Sequence, residues 1–178
     1  YYAEVSARTR AHGGLVIADE VQYGFGRPGS HFWGYEMYDV EPDMVVLGKP
    51  VANGMPLGAV ILRSDVLAHF RARQHLFATF GGNPVVTGAA IAVMDVIEDE
   101  ALQTNAHRTG QQLRKGLETL KDKYDVIGRV SGAGLFAMVD VVKSRETKEH
   151  DPELASRVQN LMREAGVLVG MEGKNDNF

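Results

Sequence analysis

Two short apolar runs constrain this chain more than any other feature: Leu15-Val16-Ile17-Ala18 and Met44-Val45-Val46-Leu47. The first does not alternate between apolar and polar residues and is rich in β-branched side chains. That suits a strand buried on both faces, as in a parallel sheet flanked by helices. The second repeats the pattern. One run finishes in Asp19-Glu20 and the other in Gly48-Lys49. Ligands of such sheets gather beyond the carboxyl ends of the strands, so Asp19 and Lys49 stand where a ligand would be met.

The neighbouring segments give an α/β order. A helix, expected to be amphipathic, covers residues 1–11 and leads through Gly13-Gly14 into the first strand, and an irregular aromatic stretch follows over 23–38. After the turn Asn53-Gly54-Met55-Pro56 a third strand is expected at 57–62. Asn83 as N-cap and Pro84 at the first helical position start a helix that runs to about Ile97. Residues 102–123 put Leu113, Leu117 and Leu120 on one face with charged residues opposite, the mark of a long amphipathic helix. Beyond it, 126–142 reads as strands broken by Ser131-Gly132-Ala133-Gly134, 152–165 as a helix and Val167-Leu168-Val169 as a short strand. The expected domains are 1–100 and 101–178, with the long helix linking a parallel-sheet unit to a smaller α/β unit.

Composition narrows the partners. A hydrophobic share of 44% in 178 residues is ample for a core. Nineteen basic against 23 acidic side chains, with no long basic run, argue against a nucleic-acid surface. There is no cysteine, so neither a disulfide framework nor a thiolate metal site can form. The six histidines show no metal-ligand spacing. No apolar segment is long enough to span a bilayer, and a cytoplasmic protein is expected. The chain opens on Tyr1-Tyr2 without an initiator methionine and stops at Asn177-Phe178, which leads to the expectation that both ends are cut.

Three readings compete for the acids and glycines. Gly24-Phe25-Gly26-Arg27-Pro28-Gly29 spells the dinucleotide pattern G-x-G-x-x-G, but it neither follows the strand directly nor opens a helix, as the pyrophosphate site requires. A P-loop ATPase reading of Asp19-Glu20 fails because Gly48-Lys49 is followed by Pro50, where a hydroxyl should hold magnesium. The third reading uses both strand ends. An amine and a carboxylate facing one crevice are what pyridoxal phosphate needs: a lysine to condense with the aldehyde, and an acid to keep the pyridine nitrogen protonated.

Several motifs then occur in order: Asp19-Glu20-Val21-Gln22, Gly24-Phe25-Gly26-Arg27, Pro42-Asp43, Gly48-Lys49, Gly54-Met55-Pro56-Leu57-Gly58-Ala59 and Thr79-Phe80-Gly81-Gly82-Asn83-Pro84. Together they resemble the class III aminotransferases among the fold-type I pyridoxal-phosphate enzymes, over essentially the whole chain. The resemblance implies part of the mainly parallel-sheet cofactor domain plus a small, incomplete C-terminal α/β domain. It implies that Asp19 pairs with the pyridinium nitrogen, that Gln22 lies near the ring's phenolic oxygen, and that Lys49 is the Schiff-base lysine and proton carrier. It also implies that Thr79 reaches the cofactor phosphate of a neighbouring subunit in a homodimer with a shared active site. The helix start at Asn83-Pro84 is expected to add an anion site there.

The activity implied is transfer of an amino group between an amine or amino acid and a 2-oxo acid. The stretch from His31-Phe32-Trp33 to Pro42-Asp43 also resembles a phospho-lyase branch acting on phosphorylated amino alcohols. A family member would carry a glycine- and serine-rich phosphate loop before residue 1 and an arginine-bearing segment after Phe178. The chain is therefore read as a fragment, expected to be inactive alone, and a non-catalytic piece is a further alternative. Phe32, Trp33 and Tyr35 are read as packing at least as readily as a substrate channel. His75 is read as structural or exposed, and Ser131-Gly132-Ala133-Gly134 as a backbone turn.

Overall fold

A computed structural model describes residues 1–173, so the Asn177-Phe178 end lies outside the described residues. The chain divides into two compact units, the first from Tyr1 to His107 and the second beginning at Arg108. That division falls inside the long helix rather than near residue 100. The reason is packing: a side chain on Gly29 would meet the backbone of His107 at 2.5 Å, and one on Gly26 would press on Gln103 at 3.1 Å. The first turns of the helix thus belong to the first unit.

In the first unit, α1 (Tyr2–Ala11) precedes β1 (Ile17–Asp19), and β2 (Met44–Leu47) and β3 (Ala59–Leu62) complete a three-stranded sheet in the order β1-β2-β3. Strands β1 and β2 run parallel, with Ile17 opposite Met44 and Asp19 opposite Val46. The third strand is antiparallel to β2, pairing Met44 with Leu62 and Leu47 with Ala59. The link from Gly48 to Gly58 is shorter than the dozen or more residues that a parallel crossover needs, so the chain turns back.

Two expectations about burial fail here. Strand β1 is not covered on both faces, since Leu15 is 48% and Ile17 56% exposed, whereas Val45 and Leu47 of β2 are buried. Position in the sheet explains the contrast: β2 has a strand on each side and β1 is an edge. Helix α1 forms as expected but is not amphipathic, and Ser6 is its one buried residue. A helix that the sequence reading missed, α2 (Ser64–Arg71), follows β3. Its signal was present in Asp65 at the first turn, His69 and Arg71 at the last, and Val66, Leu67 and Phe70 between them. Helix α3 (Pro84–Asp99) starts as the sequence implies, with the Asn83 side chain accepting from the Val85 and Val86 N–H groups.

The second unit comprises the rest of α4 (Leu102–Lys123), β4 (Ile127–Ala133), β5 (Phe136–Val141) and α5 (Pro152–Glu164), with Val130, Val141, Val142 and Ala155 as its buried apolar residues among those described. The β4–β5 hairpin is antiparallel. The expected break at Ser131-Gly132-Ala133-Gly134 comes later, because Ser131, Gly132 and Ala133 stay paired with Met138, Ala137 and Phe136. The expected strand at Val167-Leu168-Val169 does not form. Its polar groups are taken locally instead: the Val167 N–H donates to the Met162 carbonyl at 2.8 Å, and the Val169 carbonyl accepts from Gln159 Nε2 at 2.9 Å.

Candidate active site

The parallel register decides which side chains share an edge. Asp19 lies opposite Val46, and Lys49 follows three residues beyond Val46. The carboxylate and the amine therefore stand at the same, carboxyl, end of neighbouring strands. Both are exposed. Asp19 Oδ1 accepts the Val21 N–H at 3.1 Å, and its second oxygen makes no hydrogen bond among the described residues. Lys49 opens a 3₁₀ turn over Lys49–Ala52 with φ of +30°, in the left-handed region that a side chain rarely adopts. Strained backbone of this kind tends to mark functional positions.

Gln22 is exposed on the loop just after Asp19, and Thr79 is exposed in the segment before α3. Among the described residues no hydrogen bond or ion pair joins Thr79 to Asp19, Gln22 or Lys49. The anion site expected at the start of α3 is narrower than the sequence suggested. Asn83 already satisfies the Val85 and Val86 amides, and the Gly81 N–H goes to the Ala78 carbonyl at 3.2 Å. What remains for an anion is the Thr79 hydroxyl and the Gly82 N–H, which donates to no other group among the described residues.

Sequence reasoning missed two buried acids. Glu20 is 3% exposed, and its carboxylate accepts the N–H of Gly34 at 2.9 Å and of Tyr35 at 2.8 Å. Asp43 is 2% exposed at the other end of the strands, where it accepts the Val16 N–H at 2.7 Å, pairs with Arg63 and lies 3.7 Å from Arg10. An acid flanking an apolar strand was the available signal, but sequence does not say which of two adjacent acids turns inward. Burial, with the charges of Glu36 and Glu20 adding to it, pushes the Tyr35 phenol above its ordinary pKa. Farther out, hydrogen bonds from Arg63 hold the Asp65 carboxyl down at about 2.

The aromatic stretch is a packed cluster: Phe25, Phe32 and Trp33 meet pairwise at centroid distances of 4.7–5.7 Å. A separate, mostly apolar pocket of about 550 Å³ is lined by Phe25, Arg27, Pro50, Met55 and residues of α3. It includes none of Asp19, Gln22, Lys49 and Thr79. Among the described residues no group of histidine, aspartate and glutamate could hold a metal ion, and no helix is long and apolar enough to cross a membrane.

Comparison with known proteins identifies the family. The model of the family "Aminotransferase class-III" matches residues 1–177. An ethanolamine-phosphate phospho-lyase homolog of Caenorhabditis elegans is 40% identical over 100% of this chain and 39% of its own length. An alanine–glyoxylate aminotransferase 2-like protein of Drosophila melanogaster is 44% identical over 99% of this chain and 36% of its own. The solved phospholyase from Arthrobacter, in complex with phosphoethanolamine, superposes with a TM-score of 0.94 at 43% identity, covering 99% of this chain and 42% of that one. The chain thus spans about two fifths of the length of the relatives it matches. It belongs to the class III aminotransferases, pyridoxal-phosphate enzymes of fold type I.

Proposed function

We propose that the intact enzyme carrying this chain is a transaminase that moves an amino group between an amine or amino acid and a 2-oxo acid. The observation that carries this reading is the parallel pairing of β1 and β2, which sets Asp19 and Lys49 at one strand edge. The side chains fit pyridoxal phosphate: an amine without an ion pair, a carboxylate with an oxygen to spare and an exposed hydroxyl, all among the described residues. When bound, the cofactor supplies an aldehyde and a ring that draws electrons from the reacting carbon.

Lys49 Nζ would hold the cofactor covalently and, when free, would carry a proton to and from the substrate carbon. Asp19 would keep a proton on the ring nitrogen through its negative charge. Gln22 would support the phenolic oxygen, and Thr79 would offer its hydroxyl to the phosphate held by a second copy of the chain. Support for a homodimer comes from the same segment, where Leu76, Phe77 and Phe80 are 78%, 79% and 83% exposed. Clustered apolar exposure of this kind marks an interaction surface. The absence of cysteine supports a cytoplasmic setting.

A second reading, elimination of phosphate from a phosphorylated amino alcohol, is favoured by the fit to the Arthrobacter phospholyase. The two relatives at 40% and 44% identity carry one name from each reading. The deciding experiment incubates the loaded intact enzyme separately with an amino acid plus a 2-oxo acid, and with phosphoethanolamine. A new amino acid in the first mixture and no free phosphate in the second is the expected result. Phosphate release without amino transfer would establish the second reading, and failure to take up cofactor would leave a non-catalytic protein.

A further inference from the structure

Asp19 and Glu20 are adjacent and have opposite fates. Asp19 is exposed, while Glu20 is buried and bound at four points, one of them its carbonyl, which accepts the Gly24 N–H at 3.3 Å. Its own N–H donates to the Val46 carbonyl at 3.0 Å, and its two carboxylate oxygens take the consecutive amides of Gly34 and Tyr35. No ion pair with a cation stabilises Glu20 among the described residues; the two amide donors do. A buried carboxylate without a counter-charge is costly and persists only where hydrogen bonds satisfy it. The two N–H donors go to two different oxygens, and a carboxamide would put an NH2 donor in place of one of those acceptors. The surroundings fit this contact closely. A side chain on Gly34 would run into the Tyr23 ring and stand 3.2 Å from both Glu20 oxygens.

We propose that Glu20 is a positioning residue: it ties the end of β1 to β2 and to the far side of the 23–35 loop, and so fixes the direction of the Asp19 carboxylate. Side chains alternate along a strand, so holding Glu20 inward turns Asp19 outward, where the Val21 N–H steadies one of its oxygens. The same two hydrogen bonds seat the loop that carries the Phe25–Phe32–Trp33 cluster beside the strand ends. This role rests on the proposed pyridoxal-phosphate function.

The test uses Glu20→Gln in the intact enzyme, with three readouts: amide hydrogen exchange at Gly34 and Tyr35, the pH profile of the bound cofactor's visible absorption, and kcat against KM. Faster exchange is expected at one or both amides. The absorption profile is expected to move in the direction that Asp19→Asn moves it. The value of kcat is expected to fall about 10- to 100-fold, the scale of contacts supporting a reacting group, with KM for the amino donor little changed. Faster exchange with unchanged kcat and absorption would make Glu20 a loop staple only and overturn the proposal. Should Glu20→Gln not fold, Glu20→Asp, which keeps the charge but shortens the reach, must show the absorption shift. An unshifted profile, or failure of both variants to fold, overturns the role. A wild-type protein that takes up no pyridoxal phosphate sinks the underlying function and this role with it, whereas normal loading with unshifted variants overturns this role alone.

Discussion

At the amino ends of β1 and β2 the Asp43 carboxylate is buried with both oxygens engaged, one by the Val16 N–H and the other by Arg63. At the carboxyl ends of the same strands Asp19 and Lys49 are exposed, and Lys49 makes no ion pair among the described residues. Both ends carry an acid at the edge of an apolar run, yet they serve different purposes. The closed end fixes the register that sets Ile17 against Met44, and a slip of one residue would turn every side chain of β1 to the opposite face. The open end presents an exposed carboxylate and an exposed amine whose spacing that register fixes.

The contrast can be broken at either end, with opposite consequences. The largest effect is expected from Asp19→Asn in the intact enzyme. Turnover should drop on the order of 10²- to 10⁴-fold, the range for a positioned proton-transfer group. Stability should stay within about 0.5 kcal/mol, as for other exposed positions. Wild-type turnover with cofactor loaded would reduce Asp19 to a cap for the Val21 amide. Asp43→Ala should reverse the pattern. It strands the Val16 N–H and removes one of the two carboxylate partners of Arg63, so urea unfolding should show a loss of about 3 kcal/mol, the scale for a buried, charge-assisted contact. Activity per folded molecule should change far less. An unmoved urea midpoint would show that the buried acid does not hold the register.

The smallest effect sharpens the boundary between the buried acid and its exposed neighbour. Arg63 bonds both Asp43 and Asp65, and its hydrogen bonds hold Asp65 near a pKa of about 2. A carboxyl depressed in the folded state adds stability above its unfolded pKa of ~3.9 and loses that contribution as pH falls through the folded value. Because Asp65 is exposed, solvent screening keeps the contribution small. An NMR titration should find the Asp65 midpoint near 2 in the wild type and close to the ordinary carboxylate value in Arg63→Met. Equal midpoints in the two proteins would exclude Arg63 as the cause.

Much of this division was legible in the sequence, and the losses have physical causes. The apolar runs, the Asn83-Pro84 helix start and the acid and amine at the strand ends are local signals, and each appears in place. Strand direction was not local: β3 reverses because its connection is short, which matters only once β2 is known as its neighbour. Burial was not local either, so Leu15 and Ile17 read as core and stand half exposed on an edge strand. The inward turn of Glu20 depends on the amides of Gly34 and Tyr35, which lie far along an irregular loop with no periodicity to place them. The Asn83 side chain was correctly seen as a cap, but a cap uses up the amides that an anion would need.

The central claim is that the open end carries the covalent anchor, and borohydride reduction of the loaded intact enzyme tests it most directly. After proteolysis, mass spectrometry should find the reduced cofactor on Nζ of Lys49, in the peptide containing Gly48-Lys49-Pro50, and on no other lysine. Lys49→Ala should yield no adduct and no turnover. An adduct on a different lysine, or an undiminished adduct in Lys49→Ala, would contradict the account.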